Sequence, residues 1–577
     1  MTKPLAAGAK VPPQARRLLH SGGYERTICQ RSTVSLTRGA RVKKYLHDRR
    51  YLVSFDTSSL PAHRANVVVL GSGVAGLRAA IEAARHGRVA VLTKDRASES
   101  NTDYAQGGVA VALSKADSVD EHVKDTLTAG AGLCDERVVR YVISEGPRLV
   151  RELVEWGATF DRDDGGLLFT QEGGHSKPRI IHANGDATGH EIERALLEKA
   201  RSESAVALVE RAYAVDLVTD GGRAVGVLAF VGGRLEVFYA QAVVIATGGA
   251  CHVYRETTNP QTATGDGIAM AYRAGATLSD LEFVQFHPTT IYIAGAERTL
   301  ISETVRGEGG MLRDRFGVHF MPNYHPLGDL APRDVVSRAI MRQMALTHDT
   351  NVYLDLRHLD RERILKRFPK LAELCALFDI DVSTTLIPVR PSAHYFCGGI
   401  KVDENGATGI EGLFACGEAA ASGLHGANRL GSNSLLEGLV YGWAAGRAAG
   451  ESARRARACE PAVSEGHEQI SGASARIDIQ DVENSLRSLL WRQVGIEREG
   501  GALSDAEERI DFWSSYVLDR QFPGPAGWQL QNMLSVAKLL TFSARMRTES
   551  RGAHHRLDFP DRDDLNWNRH LIIRRET

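Results

Sequence analysis

The chain has 577 residues, 24% of them charged, with 70 Lys/Arg against 71 Asp/Glu and a formal net charge of -1. That length is enough for several domains around a large core, while the near-neutral balance gives no global field toward nucleic acid or a membrane surface. No apolar run reaches the roughly 18 residues of a membrane span. The 57 glycines suit an α/β protein with many tight turns. The seven cysteines (Cys29, Cys134, Cys251, Cys375, Cys397, Cys416, Cys459) form no C-x-x-C. Neither a disulfide framework nor a metal site is expected, and a reducing compartment, the cytoplasm in the first instance, fits.

The first 64 residues carry 13 Lys/Arg against three acids, Glu25, Asp48 and Asp56. We expect a basic, disordered extension over 1–50, or a start codon placed too far upstream; an organelle transit peptide is the alternative. Tyr51-Leu52-Val53-Ser54-Phe55 reads as an ordered lead-in. Asn66–Leu70 reads as a buried parallel strand, Leu77–Ala84 as a helix and Val89–Leu92 as a second strand, together one βαβ unit. A second sheet-like region runs through 205–209, 214–218 and 226–231, with a hairpin turn at Gly232-Gly233. Ala242–Gly249 and Leu413–Glu418 read as further buried strands. The stretch between them has a mixed pattern and is read as an insertion. After about residue 465 the pattern turns helical, as in Val482–Leu490.

Between the first strand and helix lies Gly71-Ser72-Gly73-Val74-Ala75-Gly76. The first glycine makes the turn, the second admits a pyrophosphate and the third lets helix and strand pack, with the phosphates on the helix N-terminus. An acidic residue normally ends the second strand and accepts ribose hydroxyls. Here Thr93-Lys94 stands there, and lysine cannot accept such bonds. NAD readers are therefore disfavoured, and Lys94 is expected on phosphate or adenine. Asn101-Thr102-Asp103-Tyr104-Ala105-Gln106-Gly107-Gly108 can edge an isoalloxazine, Ala246–Gly249 closes a strand beside the first, and Glu418 offers a ribityl or ribose acceptor. FAD is the expected cofactor, with Asp266, Ser434 and Leu435 completing its set.

Five long motifs then carry a resemblance: Gln285-Phe286-His287-Pro288-Thr289, Ser302–Gly309, Pro332–Arg338, Ala393–Gly399 and His425–Leu435. The chain resembles the flavoprotein family of succinate dehydrogenase, fumarate reductase and L-aspartate oxidase, over about residues 51 to 565. The resemblance implies a Rossmann-like FAD-binding α/β domain (51–280 and 397–465), an inserted α+β capping domain (281–396) and a C-terminal helical domain (466–577). Two features lie on the L-aspartate oxidase side of the family. Asn101 occupies the place where the dehydrogenases link histidine covalently to FAD, which implies a non-covalent cofactor. Phe169–Ser176 looks like the oxidase form of a loop in which glutamine and glutamate distinguish oxidase from dehydrogenase, and the Glu172 carboxylate can meet an ammonium group.

The implied activity is oxidation of L-aspartate to iminoaspartate, with oxygen or fumarate as electron acceptor. This would be the first step of de novo NAD biosynthesis through quinolinate, coupled to quinolinate synthase. Arg429 would clamp one carboxylate, with His287 and His394 donating to carboxylate oxygens. Ser302 and Glu303 would complete the far end, Ser302 replacing the family's usual threonine. Arg333 is the family's proton-transfer residue, although a guanidinium is a poor base. His425 reads as a loop-packing group. The alternatives are a fumarate reductase or succinate dehydrogenase flavoprotein subunit, with covalent flavin and an iron–sulfur partner, and a regulatory flavin-binding module.

Overall fold

The computed structural model describes residues 34–35, 49–164, 166–293, 298–466 and 477–575. The extension expected over 1–50 therefore lies outside the described residues, apart from 34–35 and 49–50. The first strand, β1 (Ala62–Leu70), carries Val67, Val68, Val69 and Leu70 at no more than 1% exposure. Such continuous apolar burial on both faces is what a central parallel strand needs. Helix α1 (Val74–Ala83) begins directly after Gly73, and β2 (Val89–Leu92) pairs parallel with β1. The βαβ unit is as expected, with β1 and α1 starting a few residues earlier than the pattern alone places them.

The second sheet does not exist as a separate body. β3 (Val206–Val209), β4 (Tyr213–Asp220), β5 (Arg223–Val231) and β6 (Arg234–Ile245) join the first sheet in the order β3-β2-β1-β6-β5-β4. β3 pairs parallel with β2 and β6 with β1. The hairpin turn is at Gly232-Gly233, at φ of 58° and 91°, where glycine carries no steric penalty. β6 is one 12-residue strand. Its first half faces β5 in the hairpin, and its last three residues face Leu413–Ala415. Sequence patterning divides it in two because its neighbours change halfway along.

The inserted segment carries its own antiparallel sheet. This is built from β7 (Val284–Ile291), β8 (Met311–Arg313), β9 (Val352–Asp355) and β10 (Ile387–Phe396), in the order β7-β10-β9-β8. It also has its own apolar core, with Ile301, Val305, Val336, Ile340, Leu354 and Val389. Two helices of this segment, α2 (Glu303–Gly307) and α3 (Arg333–Thr347), each begin at a charged residue of the site. The β7–β10 register shifts between Gln285 and Phe286 and again between His287 and Thr290. Irregularities of this kind re-aim side chains at a sheet edge.

Helix α4 (Asn433–Arg455) returns to the first sheet. It is followed by α5 (Ile479–Gln493), α6 (Gly500–Val517) and α7 (Pro525–Met546). The expected helical run 482–490 lies inside α5. Leu486, Leu503, Ile510, Met533 and Leu540 of these helices share one core with Val68, Leu70 and Val243 of the sheet.

The tightest contact in this layer is α4 on α1. Gly438, Gly442, Gly446 and Gly450 recur at every fourth position, which puts them on one face of α4. A Cβ at Gly442 would lie 2.6 Å from the Ala75 carbonyl oxygen, and one at Gly446 would lie 2.3 Å from that of Ala79. Backbone meets backbone there, so nothing flexible can yield. Gly446→Val is expected to cost about 3 kcal/mol by overpacking. Denaturant unfolding of the holoprotein measures it; an unchanged midpoint would refute the packing.

Candidate active site

One cavity of about 990 Å³ runs between the first sheet and the inserted segment. Its lining includes Gly71, Ser72, Gly73, Val74, Ala75, Lys94, Asn101, Thr102, Ala105, Gln106, Gly107, Gly108, Asp266, Glu418, Ser434 and Leu435, sixteen of the seventeen residues expected on the cofactor. Gly76 is set back, with a packing role: a Cβ there would fall 2.0 Å from the Gly71 carbonyl oxygen. At Gly71 (φ 103°) a Cβ would strike the Ala246 carbonyl oxygen at 2.3 Å. The turn thus presses three backbones together and leaves the start of α1 open to a phosphate. Gly73 gives that helix no side-chain cap; the Thr102 hydroxyl instead accepts from Val74 N at 3.0 Å.

Lys94 lines the cavity and is anchored on protein groups as well. Its ammonium donates to Thr264 Oγ1 (2.8 Å) and Asp266 Oδ2 (2.9 Å), so its partners are protein groups. Asp266 also accepts from Tyr213 OH (2.9 Å) and Asn532 Nδ2 (2.7 Å), which ties this end of the cavity to α7. Glu418 accepts from Phe396 N (2.8 Å) and Asn101 Nδ2 (3.0 Å), and burial pushes its pKa to about 7. Several cavity-lining residues carry buried polar atoms with no protein partner: Asn101 Oδ1, Thr247 Oγ1, His252 Nδ1 and Asn259 Oδ1. Buried polar atoms are rarely left unsatisfied. With the open helix end and the glycine cradle, they fit a dinucleotide rich in hydroxyls, phosphates and ring nitrogens, as FAD is.

The other expected site residues also line this cavity: Glu172, His287, Ser302, Glu303, Arg333, His394 and Arg429. Two guanidinium groups meet on one neutral atom. Gln285 Oε1 accepts from Arg333 Nη1 at 3.3 Å and from Arg429 Nη2 at 3.1 Å. The Gln285 amide nitrogen is fixed in turn by Asn428 Oδ1 (2.8 Å) and the Arg429 carbonyl (2.7 Å). Gln285 belongs to a motif read in the sequence, but its bridging role was not foreseen.

The two arginines differ in what surrounds them. Arg333 Nε donates to Glu303 Oε2 at 2.7 Å, and Nη2 lies 4.0 Å from Glu172. Burial pulls its pKa down, but the two carboxylates outweigh burial and hold it above the ordinary arginine value. Both carboxylates favour its cationic form. Arg429 has no carboxylate within ion-pair distance among the described residues. It donates to Ser434 Oγ (2.7 Å) and lies 4.5 Å from the Tyr395 ring centre. Burial, and then the neighbouring Arg333, bring its pKa down to about 10. A buried cation without an anion is costly, so the site is short of one carboxylate.

Burial drives His287 and His394 well below the usual imidazole range, so both are neutral. His394 Nδ1 pairs with Thr258 Oγ1 at 2.9 Å. His287 Nε2 has no protein partner. In the tautomer whose Nδ1 accepts from Thr289 N (3.3 Å), that nitrogen carries a proton for a ligand oxygen.

Ser302 and Glu303 line the cavity and also hold protein partners. Glu303 gives its two oxygens to Arg306 (2.8 Å) and Arg333 (2.7 Å), so it holds the arginine in place. The Ser302 hydroxyl donates to Thr304 Oγ1 (3.0 Å) and caps α2 through Thr304 N. Glu172 accepts from Ser432 Oγ at 2.8 Å and from Thr304 Oγ1 at 3.4 Å. Burial raises its pKa despite Arg333. His425 packs internally, as expected, paired with Glu437 at 2.9 Å.

Comparison with known proteins follows the same lines. Residues 66–435 match the family model of an FAD binding domain, and residues 525–577 that of the fumarate reductase flavoprotein C-terminus. An L-aspartate oxidase of Streptomyces coelicolor is 45% identical over 537 residues, covering 88% of this chain and 91% of its own. A chloroplastic L-aspartate oxidase of Arabidopsis thaliana is 43% identical, over 85% and 81%. Among solved structures, a variant of E. coli quinol fumarate reductase FrdA superposes with a TM-score of 0.83 at 32% identity, covering 90% of this chain and 95% of that one. Mycobacterium smegmatis Sdh1 in complex with UQ1 gives 0.77 at 34%, with the same coverage.

Glu418 makes the site sensitive to pH. Its folded pKa of about 7 lies above the roughly 4.3 of an unfolded glutamate, so the fold favours its protonated form. That contribution is complete below the unfolded value and is lost as pH rises through about 7. The flavin-free protein is expected to melt at falling temperature between about pH 5 and pH 8, and Glu418→Gln to flatten part of that slope. Thermal scans across pH measure it, and identical slopes in both proteins would exclude the assignment.

Proposed function

We propose, for a chain that belongs to the L-aspartate oxidases of the fumarate reductase flavoprotein family, that this cavity oxidises L-aspartate to iminoaspartate at the FAD it holds. One observation carries the assignment of the substrate end: a buried guanidinium with no acid beside it, Arg429, shares the cavity with Glu172, a buried acid whose nearest cation, Arg333 at 4.0 Å, is already held at 2.7 Å by Glu303. A substrate with carboxylates and an ammonium group supplies what each is missing. A simple dicarboxylate supplies only one of the two.

Bound FAD supplies a two-electron acceptor that passes the pair to oxygen, with hydrogen peroxide formed, or to fumarate. The protein groups do the rest. Arg429 forks onto one carboxylate of the substrate. His394 and His287, both neutral, donate to carboxylate oxygens without adding charge. Glu172 accepts from the substrate ammonium, and its raised pKa suits it to take the proton that the nitrogen sheds as the imine forms. Arg333, cationic in the resting site, orients the substrate and can donate a proton when fumarate is the species reduced. Glu303 is a positioning residue for Arg333. We assign the closing role over the substrate to the inserted segment 281–396, which brings four of these groups, His287, Glu303, Arg333 and His394, to the flavin domain.

The absence of histidine at Asn101 supports a non-covalent cofactor. Iminoaspartate made here would feed quinolinate formation, the first stage of NAD biosynthesis, through quinolinate synthase. No described helix is long and apolar enough to cross a membrane. The Arg-rich, acid-poor first 64 residues support organelle targeting as the alternative to the cytoplasm.

Anaerobic addition of L-aspartate is expected to bleach the visible flavin absorbance, while succinate is not; no bleaching would sink the oxidase reading. Acid precipitation is expected to leave the yellow colour in the supernatant. Arg429→Met is expected to keep its flavin yet raise the aspartate concentration for half-saturation roughly a hundredfold, about 3 kcal/mol for an unpaired buried carboxylate. Titration of the bleaching reads that shift.

A further inference from the structure

Glu172 is 4% exposed. Two hydroxyls face its oxygens, those of Ser432 and Thr304, and a hydroxyl can donate or accept as required. The charged and titratable groups around it come from three elements besides its own loop. Glu303 and Arg306 lie on α2, Arg333 on α3 and Arg429 just before α4. On its own loop, Arg179 is paired with Asp117 and Asp125. His175 is held near pKa 4 by burial and is neutral. The imidazoles of His287 and His394 are neutral as well. Of the two acids, Glu303 is held ionised by guanidinium groups at 2.7 and 2.8 Å, whereas Glu172 has two hydroxyls and only a 4.0 Å contact with Arg333, so Glu172 is the acid of this set freer to take up a proton.

The fixed charges at the substrate end then count simply. Three guanidinium groups, Arg306, Arg333 and Arg429, stand against Glu303 and Glu172. With Glu172 ionised the site carries one excess positive charge, and with Glu172 protonated it carries two. L-Aspartate near neutral pH has a net charge of minus one. Succinate and fumarate have minus two and no ammonium to meet an ionised Glu172. Charge balance in a buried site is strongly enforced.

We infer that Glu172 sets a proton count for ligand choice: L-aspartate is held with Glu172 ionised, and dicarboxylates without an amine are held together with one extra proton on Glu172. The proton comes from solvent. The carboxyl that accepts from an ammonium in one complex donates to a carboxylate oxygen, or to a hydroxyl beside it, in the other. The same side chain therefore reads the hydrogen-bond polarity of the ligand. This rests on the aspartate oxidase reading above and adds to it the protonation state in which inhibitors and the alternative acceptor fumarate bind.

The test compares two ligands on the holoenzyme. The concentration dependence of anaerobic flavin bleaching gives the apparent dissociation constant for L-aspartate, and succinate competition in the same assay gives its inhibition constant. Between about pH 6 and pH 8.5 the ratio of the succinate constant to the aspartate constant is expected to rise tenfold per pH unit, because the two complexes differ by one proton. This holds whatever the protonation of the free site. In Glu172→Gln the ratio is expected to be flat, with aspartate weakened and succinate retained. Parallel pH profiles for the two ligands in the unaltered enzyme would overturn the inference, and so would the same tenfold slope in Glu172→Gln. The unaltered enzyme alone is decisive, so a variant that fails to fold does not spare the idea. If L-aspartate bleaches nothing at any pH, the substrate reading itself fails; if it bleaches and the ratio is flat, the proton count alone does.

Discussion

Two guanidinium groups share one amide oxygen at the centre of this molecule. Gln285 Oε1 holds Arg333 and Arg429 against their mutual repulsion, and nearly every other polar group of the substrate end can be understood as a response to that placement. Glu303 and Glu172 flank Arg333 and favour its cationic form. Nothing comparable is placed beside Arg429, whose counter-charge must arrive with the ligand. Charge imbalance of this kind is destabilising to an empty protein and useful to a binding one, since desolvation has already been met before the anion enters.

The same logic reaches outward from the pair. Glu303 can act on Arg333 because α2 and α3 belong to one small antiparallel unit with its own core. Gln285 can reach both arginines because the strand carrying it breaks register on either side of Phe286-His287. At the flavin end the pattern is repeated with opposite polarity. Lys94 stands where a dinucleotide fold normally places an acid, and Asp266 takes its charge across from a different part of the sheet. Asn101 and Glu418 similarly secure each other over 317 residues of sequence.

Local order was largely legible in the sequence. The run Val67–Leu70, the glycine turn, the helix after it and the turn at Gly232-Gly233 each follow from short-range rules of packing, propensity and backbone freedom. Of the seventeen positions expected on the cofactor and the seven expected at the substrate end, all but Gly76 line the cavity. What short-range rules could not supply was partnership. The pairing of Lys94 with Asp266 was not legible because the two are 172 residues apart. The hold of Glu303 on Arg333 was not legible because the arginine lies on another helix. The single strand β6 looked like two because its neighbours change along its length, and burial on both faces removes the alternation that would have joined the halves. In each case the missing information is which distant group a polar atom already holds.

Helices α1 and α4 meet along a glycine face, backbone against backbone at Gly442 and Gly446, and both present their N-terminal residues to the same cavity: Val74 and Ala75 from one, Ser434 and Leu435 from the other. The two positive dipole ends are therefore parts of one rigid piece. An anionic cofactor lodged between them acts as a clasp on the whole layer, and the layer acts as a vice on the cofactor. Cofactor retention and the cohesion of the central fold become a single mechanical property, so any change that lets these two helices slide is felt first as a loss of colour.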